Sequence, residues 1–266
     1  MTTSAAAPAL AEGGWRRYLH SLWLLTTRDL KVRYSTSRLG YLWSVLDPLL
    51  MSAIYWFVFT QVFQRPAGTQ PYVVFLLSAM LPWVWFSNSL SDATKAFLQD
   101  EKLVRSVRIP RTIWVNRVVL SKAVEFVFSI PVLAFFAIFS GASVHPGLIW
   151  FPVAMILQAA LCVGLSMFVA PLVVLFPDLE RAVKLVLRFM FYATPIVYGT
   201  TNLPKDLQPW AAVNPLTGII SLYRVGFFPH EFSWHLVSVS VIMTAIILLG
   251  GLLFFRRVEP IVLKEI

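Results

Sequence analysis

The chain has 266 residues, of which 58% are hydrophobic and 13% charged, and its formal net charge is +9. In a soluble protein this basic excess would suggest nucleic acid as a partner. A chain this apolar is not expected to bind nucleic acid, because its basic residues can instead orient it in a membrane and contact anionic headgroups. A single cysteine, Cys162, excludes an intrachain disulfide and a cysteine-cluster metal site.

The amino-terminal segment divides into a tail and an amphipathic helix. The Ala-rich residues 1–14 predict a disordered tail. Over residues 15–38, Trp15 and Trp23 fall on one side at helical spacing, while basic side chains such as Arg16 crowd the other. This pattern predicts a helix in the cytoplasmic membrane interface. It serves either as a topological anchor or as a docking surface for a cytoplasmic partner.

Six apolar stretches follow, each close to the ~20 residues that cross a bilayer of ~30 Å. They cover about 41–64, 72–91, 118–140, 149–176, 185–199 and 234–255. We therefore predict an all-α, polytopic membrane protein with six transmembrane helices. Its transmembrane domain covers 39–257, and a cytoplasmic tail covers 258–266.

Positive charge orients these spans. Alternate crossing places 19 of the 22 Lys and Arg on one side, and leaves only Arg65, Lys205 and Arg224 on the other. The positive-inside rule assigns the basic side, and with it both termini, to the cytoplasm. Within the third span, Glu125 is the acid most in need of a partner. We expect it to pair with Lys122 or Arg117 on the same helix.

The sequence lacks the phosphate-binding motif of an enzyme that hydrolyses nucleotide itself. No G-x-x-x-x-G-K-[ST] motif occurs, so any ATP must be hydrolysed by another subunit. The four histidines are scattered, and none forms the i, i+4 pair of a helical zinc site. We expect neither a metal site nor a cofactor in this chain.

Residues 200–233 are too interrupted by proline for a crossing and too aromatic for a free loop. Short helices dipping into the outer leaflet would satisfy their backbone, provided that protein covers them. An ordinary outer loop with interfacial aromatic residues is the alternative.

Three stretches together resemble one family. They are RDLKVRYSTSRLGYLWSVLDPLL at 28–50, TPIVY at 194–198 and NPLTGIISLYR at 214–224. Their order and spacing are similar to those of ABC-2 type permeases of the polysaccharide and polyol phosphate exporter family. That family includes the O-antigen and teichoic acid exporters. The resemblance extends from about Trp15 to Arg257.

The resemblance implies a homodimer of this chain that carries two copies of a separate ATPase subunit, to which ATP and Mg belong. Such exporters reside in the bacterial inner membrane and move a polysaccharide linked to a polyprenyl diphosphate, in cell envelope biogenesis. O-antigen, teichoic acid and cell-wall galactan are the substrate types. The family contacts its ATPase through the amphipathic helix and through the loop after the second span. The ATPase-coupling residues implied in that loop are Asp100, Glu101, Arg105, Arg108 and Arg111.

The first and fifth spans border the channel in this family. Sugar rings can stack on amphipathic aromatic side chains, so we expect channel-lining residues at Tyr55, Trp56, Phe59, Phe63, Phe189, Tyr192 and Tyr198.

Arginine suits a diphosphate because its planar fork donates two parallel hydrogen bonds. The basic residues where the lipid diphosphate would enter are Arg28, Arg33 and Arg38, although topology alone would also place arginines there.

Gate helices of the family cap the outer end. The residues that match this outer gate are Pro195, Trp210, Asn214, Pro215, Tyr223 and Arg224. Pro195 is expected to end the fifth span early.

Two other functions stay open. One is an ABC-2 exporter of a small lipid or drug, which depletion of the chain would distinguish by whether lipid-linked polymer accumulates. The other is a membrane-embedded glycosyl or phospho-transferase, which would need an acidic metal-binding cluster on a cytoplasmic loop. The acidic pairs at 100–101 and 178–180 have no such neighbours.

Overall fold

A computed structural model describes residues 7–35, 42–62, 69–106, 109–204, 206 and 208–265. Within these ranges the chain is built from α-helices and short 3-10 and π-helical turns, without strands, as the composition predicts.

The first five α-helices are α1 (Ala7–Ser35), α2 (Leu42–Phe57), α3 (Tyr72–Ala93), α4 (Glu101–Ser106) and α5 (Thr112–Phe139). The others are α6 (Phe151–Leu175), α7 (Leu179–Ala193), α8 (Gln208–Val213), α9 (Pro215–Arg224) and α10 (Trp234–Glu265). A π-helical segment, Val58–Val62, continues α2.

Four helices in the described part of the chain are long and apolar enough to cross a membrane. They are α3, α5, α10, and α6 together with the 3-10 turn that precedes it. The predicted spans at 41–64 and 185–199 correspond to the shorter α2 and α7. The 15 residues of α7 rise only about 22 Å, so α7 alone is shorter than the bilayer core. The count of six spans stays a prediction.

Several helix ends differ from the predicted boundaries. α1 is helical from Ala7, inside the predicted tail, which agrees with the high helix propensity of alanine. α7 ends at Ala193, because the residue before Pro195 disfavours helical backbone. Pro195 therefore follows the helix and does not kink it. α10 continues to Glu265 through the predicted tail, and Val262 is buried there against the bundle.

α3 lies at the centre of the bundle. Val74, Phe75, Leu76 and Leu77 are all fully buried, although they point in different directions around the helix. A helix that is apolar on every side is suited to such a position. Helices α5, α6 and α9 surround it and share its hydrophobic core.

A second, smaller core lies at the α1 end of the bundle. Phe97 and Val104, from the connection between α3 and α5, pack here with Trp114 of α5 and with Phe255 and Val262 of α10. The rings of Phe97 and Phe255 stack with centroids 6.1 Å apart. This core fixes the connection against two long helices.

α1 packs on α5 along one side only. The Tyr18 hydroxyl accepts a hydrogen bond from Asn116 Nδ2 at 2.7 Å, and Leu30 is buried. Trp15 and Trp23 remain 63% and 58% exposed. Exposed tryptophans on one side of a docked helix agree with a position in the membrane interface.

Candidate functional site

A groove between α2, α3 and α7 has a volume of about 530 Å³. Its lining includes Met51, Tyr55, Trp83, Arg188, Phe191 and Tyr192. The lining is mainly apolar and aromatic, with cationic groups toward the amino-terminal part of α7. A molecule that packs C–H surfaces against aromatic rings and carries an anionic group near one end would match this arrangement.

The aromatic rings of the groove contact one another. Phe191 lies at the centre, with its ring centroid 5.8 Å from Tyr55, 5.6 Å from Trp83 and 5.2 Å from Tyr192. The Tyr55 ring stacks on Phe191, while the other two meet it edge to face. Such a set offers both ring faces and edges to the C–H surfaces of a ligand.

Two cationic residues stand on the groove side of α7. Lys184 donates to Glu180 at 2.6 Å, and Glu180 also lies 3.4 Å from Lys95. Arg188, which is exposed, forms no ion pair with any of the residues that the structure describes. Arg188 is therefore the cation of the groove that is available to an anionic ligand.

Only some of the predicted channel-lining aromatic residues lie in the groove. Tyr55 and Tyr192 line the groove, and Tyr198 is half-buried and donates its hydroxyl hydrogen to the Tyr192 carbonyl at 2.9 Å. Trp56 and Phe189 are exposed and do not contribute to this lining.

Other predicted site residues lie outside what the structure describes. Phe63, Arg38 and Arg108 fall in the gaps between the described ranges, and the side chains of Phe59 and Arg105 are not described either. Their roles stay predictions.

Sequence reasoning missed Trp83, Phe191 and Arg188. Helical spacing could have found two of them, because Arg188 and Phe191 are three residues apart and share a side of α7 with Tyr192. Trp83 carried no comparable signal, since α3 is apolar on all sides and its groove side is not distinguishable from its core side.

The predicted coupling loop contains the short helix α4, with Asp100 immediately before it. Asp100 is paired with Arg28 of α1 at 2.8 Å and with Arg117 of α5 at 2.7 Å. Glu101 is exposed, whereas Arg111 is half-buried and donates to a main-chain carbonyl of its own turn. Asp100 therefore acts inside the protein, while Glu101 lies at the surface.

Two of the arginines predicted to meet a lipid diphosphate are already paired with carboxylates. Arg28 binds Asp100, and Arg33 binds Asp92 at 2.5 Å. Burial raises the pKa of Asp100, but the hydrogen bonds from Arg28 and Arg117 outweigh it and hold that pKa below its ordinary value. These ion pairs leave Arg28 and Arg33 less suited to bind a ligand.

The predicted outer gate lies at the end of the bundle opposite α1. Asn214 caps α9, because its Oδ1 accepts from the Leu216 amide at 3.0 Å and Pro215 occupies the first turn. The Asn214 side chain also donates to Thr194 Oγ1 at 2.8 Å, which joins α9 to the end of α7. Trp210 on α8 is 74% exposed.

Arg224 is fully buried, although sequence analysis placed it on the outer side as a gate residue. Its guanidinium donates to the carbonyls of Pro195 at 2.8 Å and Ile196 at 2.7 Å, with longer hydrogen bonds to Tyr198 and Phe75. It also lies 3.6 Å from the centroid of the Phe75 ring. Arg224 holds the segment after α7 onto α3 and α9.

Tyr223, the other gate residue on α9, is also fully buried. Its ring meets Phe151 edge to face at 4.8 Å and Phe126 at 5.7 Å. Tyr223 thus packs in the core, and its role in an outer gate stays a prediction.

Near this end, Glu231 is buried and accepts three hydrogen bonds. They come from the Thr200 amide at 3.0 Å, the Thr200 hydroxyl at 3.1 Å and the Thr201 hydroxyl at 3.0 Å. Among the described residues, no three His, Cys, Asp or Glu side chains are grouped so that they could hold a metal ion.

Known proteins resemble the chain over most of its length. Residues 20–228 match the family model described as ABC-2 type transporter. An O-antigen export system permease protein of Klebsiella pneumoniae is 32% identical over 237 residues, which cover 89% of this chain and 91% of that protein. One of Myxococcus xanthus is 29% identical, covering 82% and 86%. A polysialic acid transport protein of Escherichia coli is 21% identical, covering 96% and 100%.

Proposed function

The chain belongs to the ABC-2 type transporter family, and we propose that it is the permease subunit of a polysaccharide exporter. The proposed substrate is linked to a polyprenyl diphosphate and is of the O-antigen, teichoic acid or cell-wall galactan type. Relatives named for O-antigen export and polysialic acid transport support a polysaccharide. A separate ATPase subunit supplies the energy, and two copies of each subunit form the exporter.

The observation that carries this proposal is the groove between α2, α3 and α7. Tyr55, Phe191 and Tyr192 offer aromatic surfaces on which sugar rings can stack and slide, since the burial of their apolar C–H surface is non-directional. The planar guanidinium of Arg188 can donate two parallel hydrogen bonds to the diphosphate. We propose Arg188 for this role in place of Arg28 and Arg33.

The proposed ATPase contact lies at the α1 end. Leu98, Glu101 and Lys102 are exposed around the start of α4, beside a cavity that also reaches Leu25 and Arg28 of α1. An apolar side chain between charged neighbours is the kind of surface that protein partners bury. This surface joins the two elements assigned to the ATPase by family resemblance.

Depletion and reconstitution test the proposal. Depleting the chain in its own cells should cause lipid-linked polymer to accumulate on the cytoplasmic side. That polymer, extracted from the depleted cells, should stimulate ATP hydrolysis by the chain reconstituted with its ATPase in vesicles. Absence of both effects would refute polysaccharide export, and stimulation by a small lipid or drug alone would favour the alternative exporter.

Groove variants test the site itself. Phe191→Ala should reduce polymer export roughly tenfold, taking for a sugar ring the lower part of the about 1–3 kcal/mol that stacking on an aromatic side chain contributes for a nucleic-acid base. Arg188→Gln should raise the polymer concentration required for half-maximal ATPase stimulation. Phe139→Ala and Arg256→Gln, at exposed positions of α5 and α10 outside the groove, are the matched controls. Equal effects of groove and control variants would exclude the groove as the substrate site.

A further inference from the structure

Four charged side chains meet where α1, α5 and the α3–α4 connection come together. Arg117 of α5 binds Asp29 of α1 at 2.9 Å and Asp100 at 2.7 Å, and Asp100 also binds Arg28 of α1. Arg117 is only 1% exposed, and its guanidinium lies 4.8 Å from the centroid of the Trp114 ring. We call Arg28, Asp29, Asp100 and Arg117 the Arg117 cluster.

Four more charges form a second cluster farther along α1 and α5. Lys122 of α5 binds Glu125 at 2.9 Å and Asp92 of α3 at 3.4 Å. Arg33 of α1 binds Asp92 and lies 3.7 Å from Glu125. We call Arg33, Asp92, Lys122 and Glu125 the Lys122 cluster.

The two clusters share one plan. Each contains one cation from α1, one buried cation from α5 and one carboxylate from residues 92–100, and a fourth, acidic group balances the charge. Since a buried charge without its partner is costly, each buried cation fixes the positions of the carboxylates that it binds. α1 and the connection therefore cannot shift on α5 without breaking ion pairs.

We propose that Arg117 and Lys122 are positioning residues that join α1, the end of α3 with the connection that follows it, and α5 into one unit that transmits force. This inference rests on the proposed function, in which an ATPase contacts α1 and α4. When the ATPase displaces α1 or α4, α5 then moves as well, because the ion pairs prevent α1 and the connection from moving independently of α5. Arg28 and Arg33 hold α1 in this unit and do not bind substrate.

The test uses variants that separate charge balance from tethering. Arg117→Met leaves Asp29 without its partner and should reduce the amount of inserted protein. Adding Asp29→Asn should restore that amount, because Asp100 keeps its ion pair with Arg28 and no carboxylate remains unpaired. The double variant has a matched control in Arg256→Met with Glu259→Gln, which removes one cation and one acid from α10.

Two measurements are made on the complex of the full chain with its ATPase. The first is amide hydrogen exchange of α1 and of residues 94–106, which reports local opening directly. The second is polymer exported per ATP hydrolysed in reconstituted vesicles. In the double variant we expect exchange to rise at least about tenfold, since a buried bridge has been removed. We also expect export per ATP to fall while ATP hydrolysis continues.

Either of two results would overturn the inference. One is unchanged exchange of α1 and residues 94–106 in the double variant, and the other is wild-type export per ATP once charge balance is restored. Failure of the proposed function would look different, because the wild-type complex would then export no polymer. Even in that case, hydrogen exchange would decide whether Arg117 tethers α1 to the connection.

Discussion

Gly251 of α10 lies against the backbone of Gly164 of α6, so an alanine at 251 would force these two helices apart. A Cβ on Gly251 would overlap the Gly164 carbonyl oxygen, and one on Gly164 would lie 2.8 Å from Leu248 Cα. Small residues that let helix backbones approach are typical of packing within membranes. The adjacent Gly250 differs, because a Cβ there would meet only the ring tip of Phe168 at 3.3 Å.

The two substitutions should therefore have opposite effects on the free energy of unfolding. Replacing a helical glycine with alanine stabilises by about 1 kcal/mol through helix propensity. Overpacking costs about 1–3 kcal/mol, and Gly251→Ala should reach the upper limit because the obstacle is rigid backbone. We expect a net loss of about 2 kcal/mol for Gly251→Ala, and for Gly250→Ala a gain of up to about 1 kcal/mol.

Unfolding in mixed detergent micelles by increasing sodium dodecyl sulfate, followed by tryptophan fluorescence, measures this difference. Gly250→Ala serves as the control for the general effect of alanine in α10. If the free energy of unfolding of Gly251→Ala equals that of Gly250→Ala, α6 and α10 do not pack through Gly164 and Gly251, and the prediction is wrong.

Two further predictions concern the end of the bundle opposite α1. Arg224→Lys should lower the free energy of unfolding by about 3 kcal/mol in the same assay, because one ammonium cannot satisfy carbonyls that a buried guanidinium binds from several directions. Wild-type stability of this variant would show that the guanidinium group is not needed. Glu231→Gln should cost about 1–3 kcal/mol, since the amide nitrogen cannot accept a hydrogen bond from Thr200 or Thr201. Faster proteolysis at 200–206 should accompany that loss, and unchanged proteolysis would contradict the role of Glu231 as an acceptor.

Local signals in the sequence predicted local features well. The apolar stretch at 72–91 corresponds closely to α3, because uniform hydrophobicity over a helix length is sufficient to define a span. Glu125 was predicted to pair with Lys122 or Arg117 on its own helix, and the structure pairs it with Lys122. Residues three apart on one helix are neighbours whatever the rest of the chain does.

Contacts between distant segments were not predictable in the same way. Residues 28–38 carry four basic side chains and only one acid, Asp29, so the sequence suggested cations free to bind phosphate. Their partners, Asp100 and Asp92, are 72 and 59 residues away. Arg224 was similarly expected at the outer gate, but its burial was not predictable, because its carbonyl partners lie on other elements.

Composition and periodicity alone were sufficient to identify a helical chain that lies in a membrane. The placement of its basic residues on one side depends on the number of spans and stays a prediction. The family resemblance followed from three short stretches in order. The folded arrangement was needed to show which cations are neutralised, which aromatic rings share a groove and which helices pack through glycine. Those outcomes depend on the approach of segments far apart in the chain, for which no local pattern exists.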